Sequence, residues 1–134
     1  MPKTTQPISV IAIAIFALTA PASALDLNSF RAQHGRPALS LSSALAGIAY
    51  EQAYAMANRT SLDHKNYRER LSFGSGTTAE NVLVGCADED CAIRGWARSG
   101  SHRANMLRGD VSSYGIASAT GDNGRRYWAL ELGN

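Results

Sequence analysis

The chain has 134 residues, 45% of them hydrophobic, with 13 Lys and Arg against 11 Asp and Glu for a formal net charge of +2. That length holds one domain with one core. The near balance of charge, with basic residues scattered rather than clustered, excludes the basic face of a nucleic-acid-binding protein.

The first stretch stands apart from the rest. Lys3 precedes an apolar run from Ile8 to Ala20, and Ala22-Ser23-Ala24 has the small-residue form of a cleavage site, so residues 1–24 read as a secretory signal peptide and residues 25–134 as a single mature domain. The run is shorter than the about 20 residues a membrane span needs. No second apolar stretch follows, so no integral membrane segment is expected after cleavage. Lys3 is the only charge lost with the leader, which leaves 12 basic against 11 acidic residues. A secreted or periplasmic location follows as an expectation. In such an oxidising compartment the only two cysteines, Cys86 and Cys91, are expected to form a disulfide.

In the mature part Asp26 caps a first helix running to about His34, and Gly35 with Pro37 stops it. Leu27 and Phe30 face inward, and His34 reads as a surface residue in the last turn. Ser42 caps a second, longer helix, in which Leu45, Ile48, Ala49, Ala53 and Met56 make an apolar stripe flanked by small residues that permit close packing. Asn58 to Ser61 ends it and delivers Asp63 and His64. Asn58-Arg59-Thr60 matches a glycosylation sequon, a motif often matched by chance. Tyr67 to Ser72 reads as one or two helical turns, with Arg68 and Arg70 on a solvated face. Phe73 to Thr78 is a turn-rich loop that follows no strand and carries no lysine, which excludes a phosphate-binding loop.

Ala79 to Val84 places Glu80 at the edge of an apolar segment. The acidic residues Asp88, Glu89 and Asp90 precede a helix from Cys91 to Ser99 that carries Trp96, assigned to the core. Ser101 is expected to cap a following helix, with His102 in its first turn, where the helix dipole disfavours imidazolium and leaves a neutral ligand or base. Ser112 to Ala119 and Tyr127 to Leu132 read as strands joined by the hairpin signal Gly121-Asp122-Asn123-Gly124. Alternation on the last strand predicts that one of Tyr127 and Trp128 is core and the other exposed or cleft-lining. Arg125 and Arg126 read as a solvated pair. Helices first and a hairpin last imply an α+β domain with a small antiparallel sheet.

Trp96, Ser99 and the run His102-Arg103-Ala104-Asn105-Met106-Leu107 resemble the signature of the bacterial branch of the CAP superfamily, which groups cysteine-rich secretory, antigen 5 and pathogenesis-related proteins. The resemblance extends to Asn28 with Arg31, to His64, to Ala79-Glu80-Asn81-Val82 and to Tyr127-Trp128, and so covers nearly all of the chain after residue 24. It implies a three-layer α-β-α sandwich and a central cleft containing His64, Glu80 and His102. At the fourth cleft position, a glutamate in animal and plant members, this chain has Ser99. Two imidazoles and one carboxylate imply a divalent cation, zinc rather than oxygen-seeking calcium. Asn81 and Asn105 are expected to bond backbone and hold the two site segments.

The leading function is a secreted module that binds a metal, or an extracellular ligand, lipid or protein. One alternative is a metal-dependent or serine-type hydrolase of peptides or cell-envelope material, for which His64, Glu80, His102 and Ser99 are the candidate catalytic residues. A lipid or sterol carrier is another. No G-x-S-x-G elbow is present, and the residues lean away from catalysis.

Overall fold

The computed structural model describes residues 23–72 and 76–134, so the leader through Pro21 and Ala22, and Phe73 to Ser75 of the turn-rich loop, lie outside the described residues. Five helices and four strands follow in the order α1 (Leu27–Gln33), β1 (Ser40–Leu41), α2 (Ser43–Arg59), α3 (Tyr67–Arg70), β2 (Ala79–Val84), α4 (Glu89–Ala97), α5 (Gly100–Met106), β3 (Ser113–Thr120) and β4 (Arg126–Gly133). The strands form one sheet in the order β1-β3-β4-β2. Its three main strands are antiparallel neighbours, and the short β1 joins β3 in parallel.

Local chemistry accounts for most boundaries. Asp26 accepts from Ser29 N at 2.7 Å and opens α1, and Ser42 accepts from Leu45 N at 3.2 Å and opens α2. Asp88 accepts from Cys91 N, so α4 starts at Glu89, before the first residue of the expected helix, with the disulfide inside its first turn. The α4 to α5 junction differs from the sequence expectation in its cap. Ser99 N closes α4 on Trp96 O, and Ser99 O accepts from Arg103 N to open α5. Ser99 is therefore the N-cap and Ser101 the second helical residue, while His102 keeps its place in the first turn.

The sheet is the middle layer. Trp128, Leu130 and Leu132 of β4 pack with Leu27, Phe30, Ile93, Trp96 and Met106 from α1, α4 and α5. Tyr127 and Ala129 pack on the opposite side with Val82 and with Ala49, Ala53 and Met56 of α2. Alternation thus sorts β4 into two buried faces, because helices cover the strand on both sides. Tyr127 and Trp128 are both buried, at 2% and 7% exposure, which corrects the expectation that one would be exposed or cleft-lining. Trp96 is fully buried and donates its Nε1–H to Val82 O at 3.1 Å.

Two polar residues of α1 brace this layer. Asn28 exchanges hydrogen bonds with Leu39 N and O, fixing the chain that enters β1. Arg31, 1% exposed, donates to Pro37 O, Met106 O and Arg108 O, and so satisfies carbonyls at the end of α5.

The Cys86–Cys91 disulfide forms as expected and joins the end of β2 to α4. It closes a loop of five residues' separation, for which chain entropy assigns about 2 kcal/mol. The Cys86→Ser/Cys91→Ser variant is expected to lose that amount in urea unfolding with an unchanged m-value. A loss below about 0.5 kcal/mol would mean that packing alone orders this corner.

Candidate functional site

The site lies along the edge strand β2, where residues 80 and 81 point to opposite faces of the sheet. His64 reaches one of these residues from a loop, and α5 reaches the other.

The loop carrying His64 is held at both ends. α2 ends at Thr60, whose backbone is left-handed with φ 48°, a conformation uncommon for a β-branched residue. Ser61 N bonds back to Met56 O. Asp63 gathers the loop, accepting from Arg59 Nη2, Ser61 Oγ and Lys65 N. The buried Gln52 donates from α2 to Asp63 O at 2.7 Å. Asn66, φ 59°, turns the chain into α3. His64 therefore leaves a fixed backbone with its side chain 54% exposed.

Register then brings two carboxyls together. Glu80 of β2 stands directly opposite Glu131 of β4, and both face the α2 side of the sheet. Like charges at opposed positions destabilise a strand pair, and both side chains are buried, at 6% and 0% exposure. Arg70 of α3 resolves the conflict. Its Nη1 donates to Glu80 Oε2 at 2.5 Å and to Glu131 Oε1 at 3.0 Å, and its Nη2 donates to Glu80 Oε1 at 3.2 Å.

One guanidinium and two carboxyls balance only if one acid keeps its proton. Burial pushes the Glu131 carboxyl up to about 10, and the adjacent Glu80 pushes in the same direction. Burial also raises Glu80, but hydrogen bonds from Glu131, Arg70 and His64 outweigh it and hold its carboxyl below the usual range. Glu80 is the anion and Glu131 the neutral acid. Glu131 Oε2 is buried and accepts no hydrogen bond among the described residues.

The ionised Glu80 orients His64. His64 Nδ1 lies 2.7 Å from Glu80 Oε1, and a carboxylate can only accept, so Nδ1 carries the proton and donates. When the ring is neutral, Nε2 is then the nitrogen that carries the free lone pair. Glu80 itself has little capacity to spare, since His64 and both Nη atoms of Arg70 occupy its oxygens.

On the other face, Asn81 is fully buried and donates to His102 O at 2.9 Å. Asn105 donates to Asn81 Oδ1 at 2.9 Å and to Glu80 O at 3.4 Å. These are the roles expected of the two asparagines, and they fasten α5 to β2. Burial, then the charge of nearby His64, lowers the His102 pKa and favours its neutral form. A cavity of about 280 Å³ is lined by His64, Tyr67, Thr78, Ala79, Glu80, Asn105 and Arg108, and His102 is not among its lining residues. Ser99 remains half-buried at the start of α5, and among the described residues no serine hydroxyl is hydrogen-bonded to either imidazole. No group of three or more His, Cys, Asp or Glu side chains placed to hold one metal ion occurs among the described residues.

The sequence reading did not single out Arg70 or Glu131. Sequence alone puts Arg70 with Arg68 on a solvated face, and Glu131 falls inside the Tyr127 to Leu132 strand with no role of its own. A glutamate on the same strand face as Tyr127 and Ala129 was the available signal, since an acid on a buried face requires a partner.

A family model described as "CAP: Cysteine-rich secretory protein family" matches residues 26–132. Three solved structures are similar. An outer surface protein of Borrelia burgdorferi has a TM-score of 0.71 at 15% identity, with 81% of this chain and 86% of that one covered. An extracellular protein containing an SCP domain from Bacillus anthracis has a TM-score of 0.65 at 21% identity, and a cysteine-rich secretory protein from Staphylococcus aureus has 0.62 at 28% identity. Each of the latter two covers 79% of this chain, which spans only 37% and 35% of their lengths. Comparison with curated proteins finds no match. Among the described residues no helix is long and apolar enough to cross a membrane.

Proposed function

The chain belongs to the CAP, or cysteine-rich secretory protein, family, and from that premise we propose that it is an exported binding protein whose cleft takes a divalent cation through His64 Nε2 and the His102 imidazole. Export is supported by the leader read from residues 1–24, by the disulfide, and by similar structures described as extracellular or surface proteins.

The observation that carries the reading is the 2.7 Å contact between His64 Nδ1 and Glu80 Oε1. A histidine that donates one ring nitrogen to a carboxylate presents the other as a metal ligand with a fixed orientation and raised basicity. His102, held neutral by its surroundings, offers a second lone pair. Glu80 then acts behind the cation rather than on it, because Arg70 and His64 hold its oxygens. Two nitrogen donors and no free carboxylate favour zinc over calcium. When bound, the cation would leave positions for water or for a polar group of a ligand. Thr78, Asn105 and Arg108 offer the cleft polar groups for such a ligand. A serine hydrolase reading lacks, among the described residues, a serine hydroxyl hydrogen-bonded to either imidazole.

The test is calorimetric titration of zinc into chelator-stripped protein. Binding at micromolar Kd or tighter is expected, abolished in His64→Ala/His102→Ala and weakened about 10- to 100-fold in Glu80→Gln, the range for loss of an orienting partner. No heat from folded wild-type protein would sink the cation reading. Undiminished binding in the double histidine variant would place the cation elsewhere.

A further inference from the structure

At the end of the sheet where the disulfide lies, a cavity of about 600 Å³ is lined by Gly85, Cys86, Ala87, Thr120, Gly124, Arg125 and Arg126. Although consecutive in sequence, the two arginines converge on one turn. Arg126 Nη1 donates to Ala87 O, and a Cβ built on Gly85 would stand 3.8 Å from Arg125 Nη2. Both guanidinium groups therefore lie over residues 85–87. That turn is rigid. Cys86 is bonded to Cys91, Cys86 O accepts from Trp128 Nε1 at 2.9 Å, and Gly85 N donates to Arg126 O. Gly85 and Gly124, at φ +108° and +74°, keep the floor and one wall free of side chains.

None of the residues lining the groove is acidic, and among the described residues neither arginine has a carboxylate partner. Asp122 of the hairpin pairs with neither arginine, and two acids that follow the turn are engaged elsewhere. Asp88 caps α4, and Asp90 binds Arg94 and Leu25 N. Two neighbouring cations repel each other, and the arrangement calls for a compensating charge of about −2. Planar guanidinium forks match phosphoryl oxygens. The volume lies in the range of small-molecule pockets, about 300–1,000 Å³.

We propose that this groove, beyond the opposite end of β2 from Glu80 and its partner His64, binds a phosphomonoester group carried on a larger molecule. Arg125 and Arg126 supply the charge and Thr120 offers a hydroxyl. The same headgroup chemistry occurs in soluble phosphomonoesters and in anionic lipid, so two probes separate the sources. Glycerol 3-phosphate is titrated calorimetrically at low salt, and vesicles of phosphatidylcholine with or without phosphatidic acid are used for co-sedimentation.

Wild type is expected to bind at least one phosphomonoester probe, and Arg125→Ala and Arg126→Ala are each expected to weaken binding about tenfold or more, as for loss of a charge-assisted hydrogen bond. Arg36→Ala, which removes the same charge elsewhere, should bind as wild type does. Arg125→Ala is the decisive variant, because this side chain is exposed and makes no hydrogen bond among the described residues. Binding to glycerol 3-phosphate alone identifies a soluble ligand, and binding to phosphatidic acid vesicles identifies a membrane headgroup. The proposal is overturned if neither probe binds, if Arg125→Ala binds like wild type, or if Arg36→Ala loses as much.

Discussion

Gly115→Ala is expected to destabilise the protein by about 3 kcal/mol or more, enough to leave much of it unfolded or insoluble at 37 °C. A Cβ at position 115 would stand 2.0 Å from Ala46 N, 2.2 Å from Leu45 C and 2.5 Å from Ala46 Cα. All three are backbone atoms, so no side chain can rotate away. α2 would have to lift from β3 by about 1.5 Å to reach the roughly 3.5 Å at which non-bonded atoms rest. The packing of Ala49, Ala53 and Met56 against Tyr127 and Ala129 would loosen with it. Overpacking usually costs about 1–3 kcal/mol, and a rigid backbone obstacle belongs at or above the top of that range. A domain this size has only about 5–15 kcal/mol to lose. Gly47 is the control. It lies within the same helix, and a Cβ there meets nothing within 4 Å, so Gly47→Ala should gain up to about 1 kcal/mol from helix propensity. Urea unfolding of both variants checks the pair, and a Gly115→Ala loss under 1 kcal/mol would contradict the close approach of α2 to the sheet.

Arg70→Met is the second large effect, with an expected loss of about 3–5 kcal/mol, the range for removing one partner of a buried ion pair. Without the guanidinium, Glu80 remains buried as an anion with only His64 and the neutral Glu131 as side-chain donors. Glu131→Gln tests the charge assignment from the other side. An amide imitates the neutral acid, and that variant should remain within about 1 kcal/mol of wild type near neutral pH.

The pH dependence follows the same assignment. With Glu131 raised from 4.5 to about 10, the folded state holds a proton that the unfolded chain releases between those values. Stability therefore falls as pH rises through that window. Measured from pH 7.5 to 9, where His102, lowered from 6.5, no longer titrates, wild type should lose stability and Glu131→Gln should not. Equal slopes would move the shared proton away from Glu131.

Much of the molecule was legible because it is local. Asp26 and Ser42 open helices by bonding to backbone N–H groups three residues ahead. Gly121 to Gly124 turns β3 into β4, and the exported cysteines close on each other. His64, Glu80, Asn81 and Asn105 are legible through resemblance rather than spacing, and His102 also through its place in the first turn of a helix. The misplaced cap at Ser101 shows the limit of local reading. Ser99 and Ser101 are chemically equal candidates, and the choice falls to Ser99 because the α4 carbonyl at Trp96 takes its N–H.

Arg70 and Glu131 show where sequence reading ends. They are 61 residues apart, and nothing near either one announces the other. What the sequence determined by itself was most of the helix spans, the caps at Asp26 and Ser42 and the β3–β4 hairpin, since those depend on neighbours within a few bonds. Only the tertiary structure decided that Glu80 meets Glu131 across the β2–β4 register, that Arg70 neutralises the pair, and that Glu80 therefore orients His64. Strand register and buried charge balance are set by the simultaneous packing of α2, α3 and the sheet, and a buried carboxyl takes its protonation state from the groups that packing places beside it.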